Sequence, residues 1–128
     1  MGKKKILVVD DEPDFLNLIT TRLEANDYEV ITAADGNEAF DKIKKEKLDA
    51  VLLDILMPGM DGLKLLKKIR KINGKLPVYM ITAFSTEERF KMANKFGASG
   101  FIVKTNDLSK EIDNINAALD MAGRYRKK

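Results

Sequence analysis

The feature that most constrains the fold of this chain is an alternation of short apolar segments with amphipathic stretches. The apolar, β-rich segments are residues 5–9, 29–33, 50–53, 78–81 and 101–103. Most of them are continuous apolar runs, which is typical of strands that helices cover on both faces. Because strands and helices alternate strictly, the sequence predicts a doubly wound α/β fold with one five-stranded parallel sheet.

The stretches between these segments have the spacing and the boundary signals of helices. The last predicted helix has the cleanest apolar stripe, formed by Leu108, Ile112, Ile115, Leu119 and Ala122. Pro13 suits the first position of the first helix, where a missing N–H does no harm. Capping-box spacing predicts two further helix starts, at Asp35 with Glu38 and at Ser85 with Glu88.

Two absences restrict the chemistry that the chain can perform. With no Cys there is no disulfide, thiolate nucleophile or Cys-based zinc site, and with no His there is no histidine base or phosphohistidine. The net charge is only +3, and the basic tails at both ends are interpreted as solvated termini rather than as a nucleic-acid site. No apolar run is long enough for a membrane span or a signal peptide. We expect one cytoplasmic domain over residues 1–128, with a core from about 4 to 122.

Polar side chains stand where four of the predicted strands end. Asp10 and Asp11 follow the first strand, Asp54 the third, Thr82 the fourth and Lys104 the fifth. Each residue alone also has an ordinary interpretation, as a helix cap, a turn residue or a surface lysine. Ligands of open α/β sheets bind beyond the carboxyl ends of the strands, so the joint placement predicts a shared pocket.

The predicted pocket has the ligand chemistry of a magnesium site. Three neighbouring carboxylates repel one another, and a divalent cation removes that conflict. Oxygen ligands without His or Cys favour Mg²⁺, which also binds phosphate oxygens. Such a site suits the transfer of a phosphoryl group to a carboxylate.

Four blocks of the sequence resemble the signature blocks of response-regulator receiver domains. They are residues 8–12 (VVDDE), 53–62 (LDILMPGMDG), 81–83 (ITA) and 102–104 (IVK). The resemblance covers most of the chain, and four blocks in this order are a specific signal. It implies a flavodoxin-like (βα)5 fold with strand order 2-1-3-4-5.

The resemblance also implies a role for each site residue. Asp54 would accept a phosphoryl group next to a bound Mg²⁺ or Mn²⁺ ion. The implied metal ligands are Asp10, acting through water, Asp11, Asp54 and the backbone carbonyl of Leu56. The residues implied to contact the phosphoryl group are Thr82 and Lys104, and the implied switch residues are Thr82 and Phe101.

The same resemblance predicts the partners. The phosphoryl donor would be a phosphohistidine on a sensor histidine kinase or a His-phosphotransfer protein, docked at the first helix, or a small donor such as acetyl phosphate. Phosphorylation would change the surface of the fourth helix, fifth strand and fifth helix, through which the domain signals to a protein target or dimerises. No direct contact with nucleic acid or membrane is expected. The sequence leaves open the cognate kinase, the target and whether the chain is part of a longer regulator.

Two departures from the family pattern have consequences. Thr105 stands where the family usually has proline, and a cis bond before threonine would cost about 2.5–4 kcal/mol, so the conformation of the Lys104–Thr105 bond stays open. Leu56 and Phe84 stand beside the expected path of the hydrolytic water, and neither side chain can hydrogen-bond it. We therefore expect a signalling domain that catalyses its own phosphorylation and loses the phosphoryl group slowly, rather than an enzyme with turnover.

Three other classes of protein stay open. A haloacid-dehalogenase-like phosphatase also uses an aspartyl nucleophile, but it needs a second Asp two residues later, where this chain has Leu56 or Glu12. A flavodoxin-like cofactor binder needs a phosphate-cradling loop after the first strand, where Asp10 and Asp11 would repel phosphate. A scaffold with a vestigial acidic pocket is the third.

Overall fold

The computed structural model describes residues 4–55, 61–82 and 86–103, together with Asp113, Asn116 and Ala117. Nine strands and helices alternate along these residues. The strands are β1 (Lys4–Val9), β2 (Tyr28–Ala33), β3 (Ala50–Asp54), β4 (Val78–Thr82) and β5 (Gly100–Val103). The helices are α1 (Pro13–Ala25), α2 (Gly36–Lys45), α3 (Gly62–Ile72) and α4 (Glu87–Lys95). The predicted alternation is thus confirmed through β5.

The five strands form one parallel sheet in the order β2-β1-β3-β4-β5. The predicted fold class and strand order are therefore confirmed. Asp113, Asn116 and Ala117 are helical, while the rest of the predicted fifth helix lies outside the described residues. Within the part of the chain that the structure describes, no helix has the length and apolarity needed to cross a bilayer.

Helices cover both faces of the sheet, which explains why the strand sequences are apolar on both sides. On one face α2, α3 and α4 pack on side chains such as Leu7, Leu53 and Met80. On the other face α1 packs on side chains such as Val8 and Leu52. We call α2, α3 and α4 the three-helix layer. Because alternate residues of β1 and β3 belong to different core clusters, a polar residue on either face of these strands would be buried.

The helix starts follow the predicted signals with one correction. Pro13 is the first residue of α1, and the Asp35 carboxylate accepts a hydrogen bond from the Glu38 N–H at 2.8 Å. At α4 the prediction of Ser85 as the cap was wrong, because the hydroxyl of Thr86 accepts from the Arg89 N–H at 3.2 Å. Serine and threonine hydroxyls both cap helices, so the sequence could not separate two adjacent ones.

Arg70 joins the end of α3 to two neighbouring turns. Its guanidinium donates hydrogen bonds to the carbonyls of Gly97 at 2.9 Å, Leu76 at 2.7 Å and Asn73 at 3.1 Å. Burial lowers the pKa of Arg70 from its ordinary value, and the three carbonyls carry no charge that would offset this burial. Gly97 has φ +93°, a left-handed conformation that favours glycine, and so sets the turn that Arg70 holds.

We expect Arg70→Met to lower the free energy of unfolding by about 1–2 kcal/mol, because two partly buried carbonyls and one exposed carbonyl lose their donor. Arg70→Lys should restore little of it, since one ammonium cannot reach acceptors in the directions of a guanidinium. Urea unfolding of the parent and both variants measures the difference. Lys71→Met, at an exposed position of the same helix, is the control and should change stability by less than about 0.5 kcal/mol.

A candidate acidic metal and phosphoryl site

The candidate site lies where β1 and β3, adjacent strands inside the sheet, reach their carboxyl ends. Asp10 directly follows β1, and Asp54 is the last residue of β3. Both carboxylates are buried, with 1% and 6% of the residue surface exposed, whereas Asp11 is exposed. One oxygen of each of the three carboxylates lies within 4.8 Å of the others. The structure thus brings together the three acidic residues that the sequence predicted.

Hydrogen bonds hold the segment that carries two of these carboxylates. The Asp10 N–H donates to the Ala33 carbonyl at 3.1 Å, which continues the pairing of β1 with β2 by one residue. The Asp10 carboxylate accepts from the Glu12 N–H at 2.9 Å. This bond fixes the turn between β1 and α1, so Asp11 is presented at the surface of the pocket while Asp10 stays beneath it.

The electrostatics of the cluster favour a divalent cation. At an effective dielectric constant of 20, two unit charges separated by 4.8 Å repel by about 3.5 kcal/mol. Carboxylate oxygens are the ligands that Mg²⁺ prefers. Because Asp11 is exposed, the open side of the cluster leaves room for water and phosphate at the ion. The donor set of Asp10, Asp11 and Asp54 therefore fits a magnesium ion.

The remaining predicted site residues are placed only in part. The backbone of Thr82 ends β4, next to β3, and its Cα pairs in register with Val103. The side chain of Thr82 lies outside the described residues, as do Leu56 and Lys104. Their predicted contacts with a metal or a phosphoryl group stay predictions.

Phe101, the predicted switch residue, is half-buried on β5 and packs against the core of the three-helix layer. Its ring makes an edge-to-face contact with Phe90 of α4, with centroids 4.6 Å apart and planes at 80°. Phe90 was not predictable from the sequence, because a phenylalanine in a short helix carries no sign of its partner. The contact links α4 directly to the strand that precedes Lys104.

Gly62 is a second residue whose importance the sequence did not reveal. It begins α3, and a Cβ at this position would lie 2.2 Å from the carbonyl oxygen of Asp54 and 2.8 Å from the Cα of Ile55. The Gly62 N–H donates to the Ile55 carbonyl at 2.9 Å. The first residue of α3 therefore lies in close contact with the backbone of Asp54, the candidate phosphoacceptor. Any side chain at position 62 would overlap this backbone, so the contact requires glycine.

Comparison with known proteins decides the family. The profile of the response regulator receiver domain matches residues 6–116. This chain belongs to the response regulator receiver domain family. Receiver domains act in two-component systems, and phosphorylation and magnesium dependence are general to them. The acidic cluster therefore lies where such domains bind Mg²⁺.

Curated relatives include the Bacillus subtilis alkaline phosphatase synthesis transcriptional regulatory protein PhoP, which is 40% identical over 101 residues. The probable transcriptional regulator ycf27 of Porphyridium aerugineum is 40% identical over 104 residues. These matches include 79% and 81% of this chain but only 42% and 43% of the two relatives. The matched region therefore spans less than half the length of each of these two relatives.

Solved structures of receiver domains share the fold. The CheY-like receiver domain protein of Methanospirillum hungatei is 31% identical, with a TM-score of 0.88 and coverage of 97% of this chain and 99% of that one. The Thermotoga maritima response regulator TrrA, solved in complex with Mg²⁺-BeF, is 34% identical, with a TM-score of 0.79 and coverage of 90% and 98%.

We expect Mg²⁺ to stabilise this receiver domain through the acidic cluster. An ion at a hundred times its Kd would add about 2.7 kcal/mol to the free energy of unfolding. Asp11→Asn should reduce this effect strongly and should also stabilise the metal-free protein, because one of the repelling charges is removed. Thermal unfolding with Mg²⁺, and with Na⁺ at equal ionic strength, measures both changes. Asp41→Asn, an exposed change on α2, is the control, and an equal Mg²⁺ effect in all three proteins would contradict the expectation.

Proposed function

We propose that this domain is a phosphorylation switch that accepts a phosphoryl group on Asp54 in a magnesium-dependent reaction. The observation that carries the proposal is the meeting of the Asp10, Asp11 and Asp54 carboxylates within 4.8 Å at the carboxyl edge of the sheet. Membership of the receiver domain family supports it independently. The protein acts in the cytoplasm, and it signals rather than turning over a substrate.

The proposed reaction is an in-line transfer. A carboxylate oxygen of Asp54 forms a bond to phosphorus while the P–N bond of a donor phosphohistidine breaks, and the released imidazole nitrogen takes up a proton from water. When bound, a Mg²⁺ or Mn²⁺ ion supplies positive charge that offsets the negative charge of the transferring group. Asp11, Asp54 and the Leu56 carbonyl would hold that ion directly, and Asp10 would hold it through water.

Thr82 and Lys104 are proposed to recognise the phosphoryl group once it is attached. An aspartyl phosphate carries roughly −1.5 to −2 charges and three acceptor oxygens, by analogy with other phosphorylated side chains. The hydroxyl of Thr82 donates to one of these oxygens, and the ammonium of Lys104 pairs with another. These two roles are inferred from the family resemblance. They also agree with the sequence, in which Thr82 is the last residue of β4 and Lys104 follows the last residue of β5.

The switch is proposed to pass from Thr82 to Phe101 and then to α4. A shift of Thr82 toward the phosphoryl group leaves space into which the Phe101 ring can turn. The edge-to-face contact between Phe101 and Phe90 must then break or re-form, so the position of α4 depends on the ring. A shift of the equilibrium from 1:99 to 99:1 needs about 5.5 kcal/mol, which a few charge-assisted hydrogen bonds at about 1.5–3 kcal/mol each can provide.

The proposed partners are proteins of a two-component system. The phosphoryl donor is a sensor histidine kinase or a His-phosphotransfer protein that docks at α1, and acetyl phosphate serves as a small donor. The output is a contact of the α4-β5-α5 surface with a downstream protein or with a second copy of the domain.

Acetyl phosphate with Mg²⁺ tests the proposal directly. Intact-mass measurement is expected to show one phosphoryl group per chain, and a chelator should prevent its attachment. Steady hydrolysis of p-nitrophenyl phosphate would instead favour the haloacid-dehalogenase-like alternative. Failure of acetyl phosphate to label the protein, together with the absence of turnover, would contradict both.

We expect the phosphorylated protein to lose its phosphoryl group slowly. The side chains of Leu56 and Phe84 cannot hydrogen-bond an attacking water, so nothing at these two positions orients it. Leu56→Asn should accelerate the loss, because an amide can hold the water in line. Decay of a radiolabelled phosphoryl group measures both rates, with Leu56→Met as a control that keeps the apolar character. Loss from the parent within seconds would show the expectation to be wrong.

A further inference from the structure

Helix α3 has an unusual charge pattern that the phosphorylation site does not use. Its sequence, GLKLLKKIRKI, contains five basic residues and no acidic one. Four of them, Lys64, Lys67, Lys68 and Lys71, are exposed and lie at i, i+3, i+4 and i+7, so they form one stripe on the solvent side. We call these four residues the lysine stripe. It runs for about 10 Å along the helix.

The stripe destabilises the isolated helix. Lysines three and four residues apart on a helix repel one another, and Lys64 stands in the first turn, where the helix dipole disfavours a cation. Among the described residues no carboxylate lies within salt-bridge distance of any of the four ammonium groups, although Lys42, Lys44 and Lys91 all have carboxylate partners. No carboxylate of the described residues therefore offsets the repulsion along the stripe.

Two aromatic rings hold part of the stripe in place. The Lys67 ammonium lies 5.3 Å from the centroid of the Phe96 ring, beside α4. The Lys68 ammonium lies 5.6 Å from the centroid of the Phe40 ring of α2, which Lys44 also contacts at 4.9 Å. Cation–π contacts restrict the two long side chains and cover both rings. The stripe is therefore a partly ordered row of charges, and the two rings beside it are only partly exposed.

Within the three-helix layer only α3 has no acidic residue, although Lys44 of α2 adds a further ammonium beside Lys68. The flanking helices have mixed charge, with exposed carboxylates at Asp41 of α2 and Glu88 of α4. A DNA duplex or a membrane plane would cover these carboxylates as well and would be repelled by them. A single acidic helix covers only the stripe, and glutamates at the same spacing can meet its four ammonium groups.

We propose that the lysine stripe of α3 is a docking surface for an acidic helix of a partner protein. The glutamates of such a partner would offset the repulsion among the four ammonium groups, and the contacts of Lys67 and Lys68 with the two rings could remain. The stripe lies in the three-helix layer, whereas α1 packs on the opposite face of the sheet. A partner on α3 can thus bind while another protein occupies α1. The proposal needs neither phosphorylation nor a metal, so it stands apart from the proposed function.

The test uses the unphosphorylated full chain and a synthetic probe. The probe is a peptide of about 20 residues, long enough to be helical alone, with glutamates at i, i+3, i+4 and i+7. The control peptide has glutamine in place of glutamate at those four positions. We expect the acidic peptide to shift backbone amide resonances of residues 64–71 and to bind more weakly as ionic strength rises.

Paired variants locate the binding. Lys64→Gln with Lys71→Gln should weaken the acidic peptide by about fivefold or more, since two of four exposed ion pairs are lost. Lys45→Gln with Lys47→Gln, which removes the same charge from other exposed positions, should change binding less than about twofold. Both variants keep the rings and their lysines, and thermal unfolding checks that both are folded. Equal losses in the two variants, equal binding of the glutamine peptide, or tighter binding of duplex DNA or of phosphatidylglycerol vesicles would overturn the proposal.

Discussion

Asp54→Asn is expected to abolish labelling of this domain by acetyl phosphate. The rate should fall by roughly a hundredfold or more, because an amide has no anionic oxygen with which to attack phosphorus. Asp54 is only 6% exposed, so a substitution there must keep the shape of the side chain. Asparagine has almost the same shape as aspartate, and the fold should therefore accept the change. Phosphate-affinity electrophoresis after timed incubation with acetyl phosphate and Mg²⁺ measures the rate.

Asp41→Asn provides the matched control for this prediction. It makes the same chemical change at an exposed position of α2, where the carboxylate pairs with Lys44 at 3.7 Å. Exposed pairs of this kind contribute little to stability, so labelling should stay within about twofold of the parent. If Asp54→Asn were labelled as fast as Asp41→Asn, another residue would be the acceptor.

Gly62→Ala is expected to lower the free energy of unfolding by about 2–3 kcal/mol, which is a large effect for a single methyl group. Alanine is normally the better helix residue by about 0.5–1 kcal/mol, so helix propensity alone predicts the opposite sign. The contact decides the outcome, because a Cβ would lie 2.2 Å from the Asp54 carbonyl oxygen and 2.8 Å from the Ile55 Cα. Both atoms belong to the backbone and cannot move aside as a flexible side chain can.

The control for this prediction is Gly74→Ala. A Cβ at Gly74 would meet nothing within 4 Å, so this change should be neutral or slightly stabilising. Urea unfolding compares the two variants. The shift of the Asp54 backbone should also slow phosphorylation of Gly62→Ala at temperatures where the variant is fully folded. Equal stability of the two alanine variants would contradict the account of how α3 meets β3.

Much of the fold could be predicted from the sequence because both faces of the sheet are covered. The run of residues 50–53 is apolar without alternation, and every residue of β3 is indeed buried. The acidic cluster was predictable for a related reason. Asp10 and Asp54 interrupt apolar runs at strand ends, and parallel strands bring these ends to one edge.

The residues that the sequence did not reveal act through contacts between distant segments. Arg70 resembles any basic residue in the last turn of a helix, yet its acceptors include Gly97, which lies 27 residues away. Gly62 resembles an ordinary residue of a loop-to-helix junction, and only the approach of Asp54 shows why a side chain is excluded. Periodicity and spacing describe which face a residue occupies, but they do not show which backbone lies against it.

The most direct measurement of the central claim is a titration of the parent and Asp54→Asn with beryllofluoride and Mg²⁺, followed by ¹⁹F and amide NMR. Beryllofluoride mimics a phosphoryl group attached to a carboxylate. One group is expected to bind per parent chain, and only when Mg²⁺ is present. Amide shifts are expected at Asp10, Asp11 and Asp54 and along α4, with no binding to Asp54→Asn. Binding without Mg²⁺, equal binding to Asp54→Asn, or no binding to the parent would contradict the central claim.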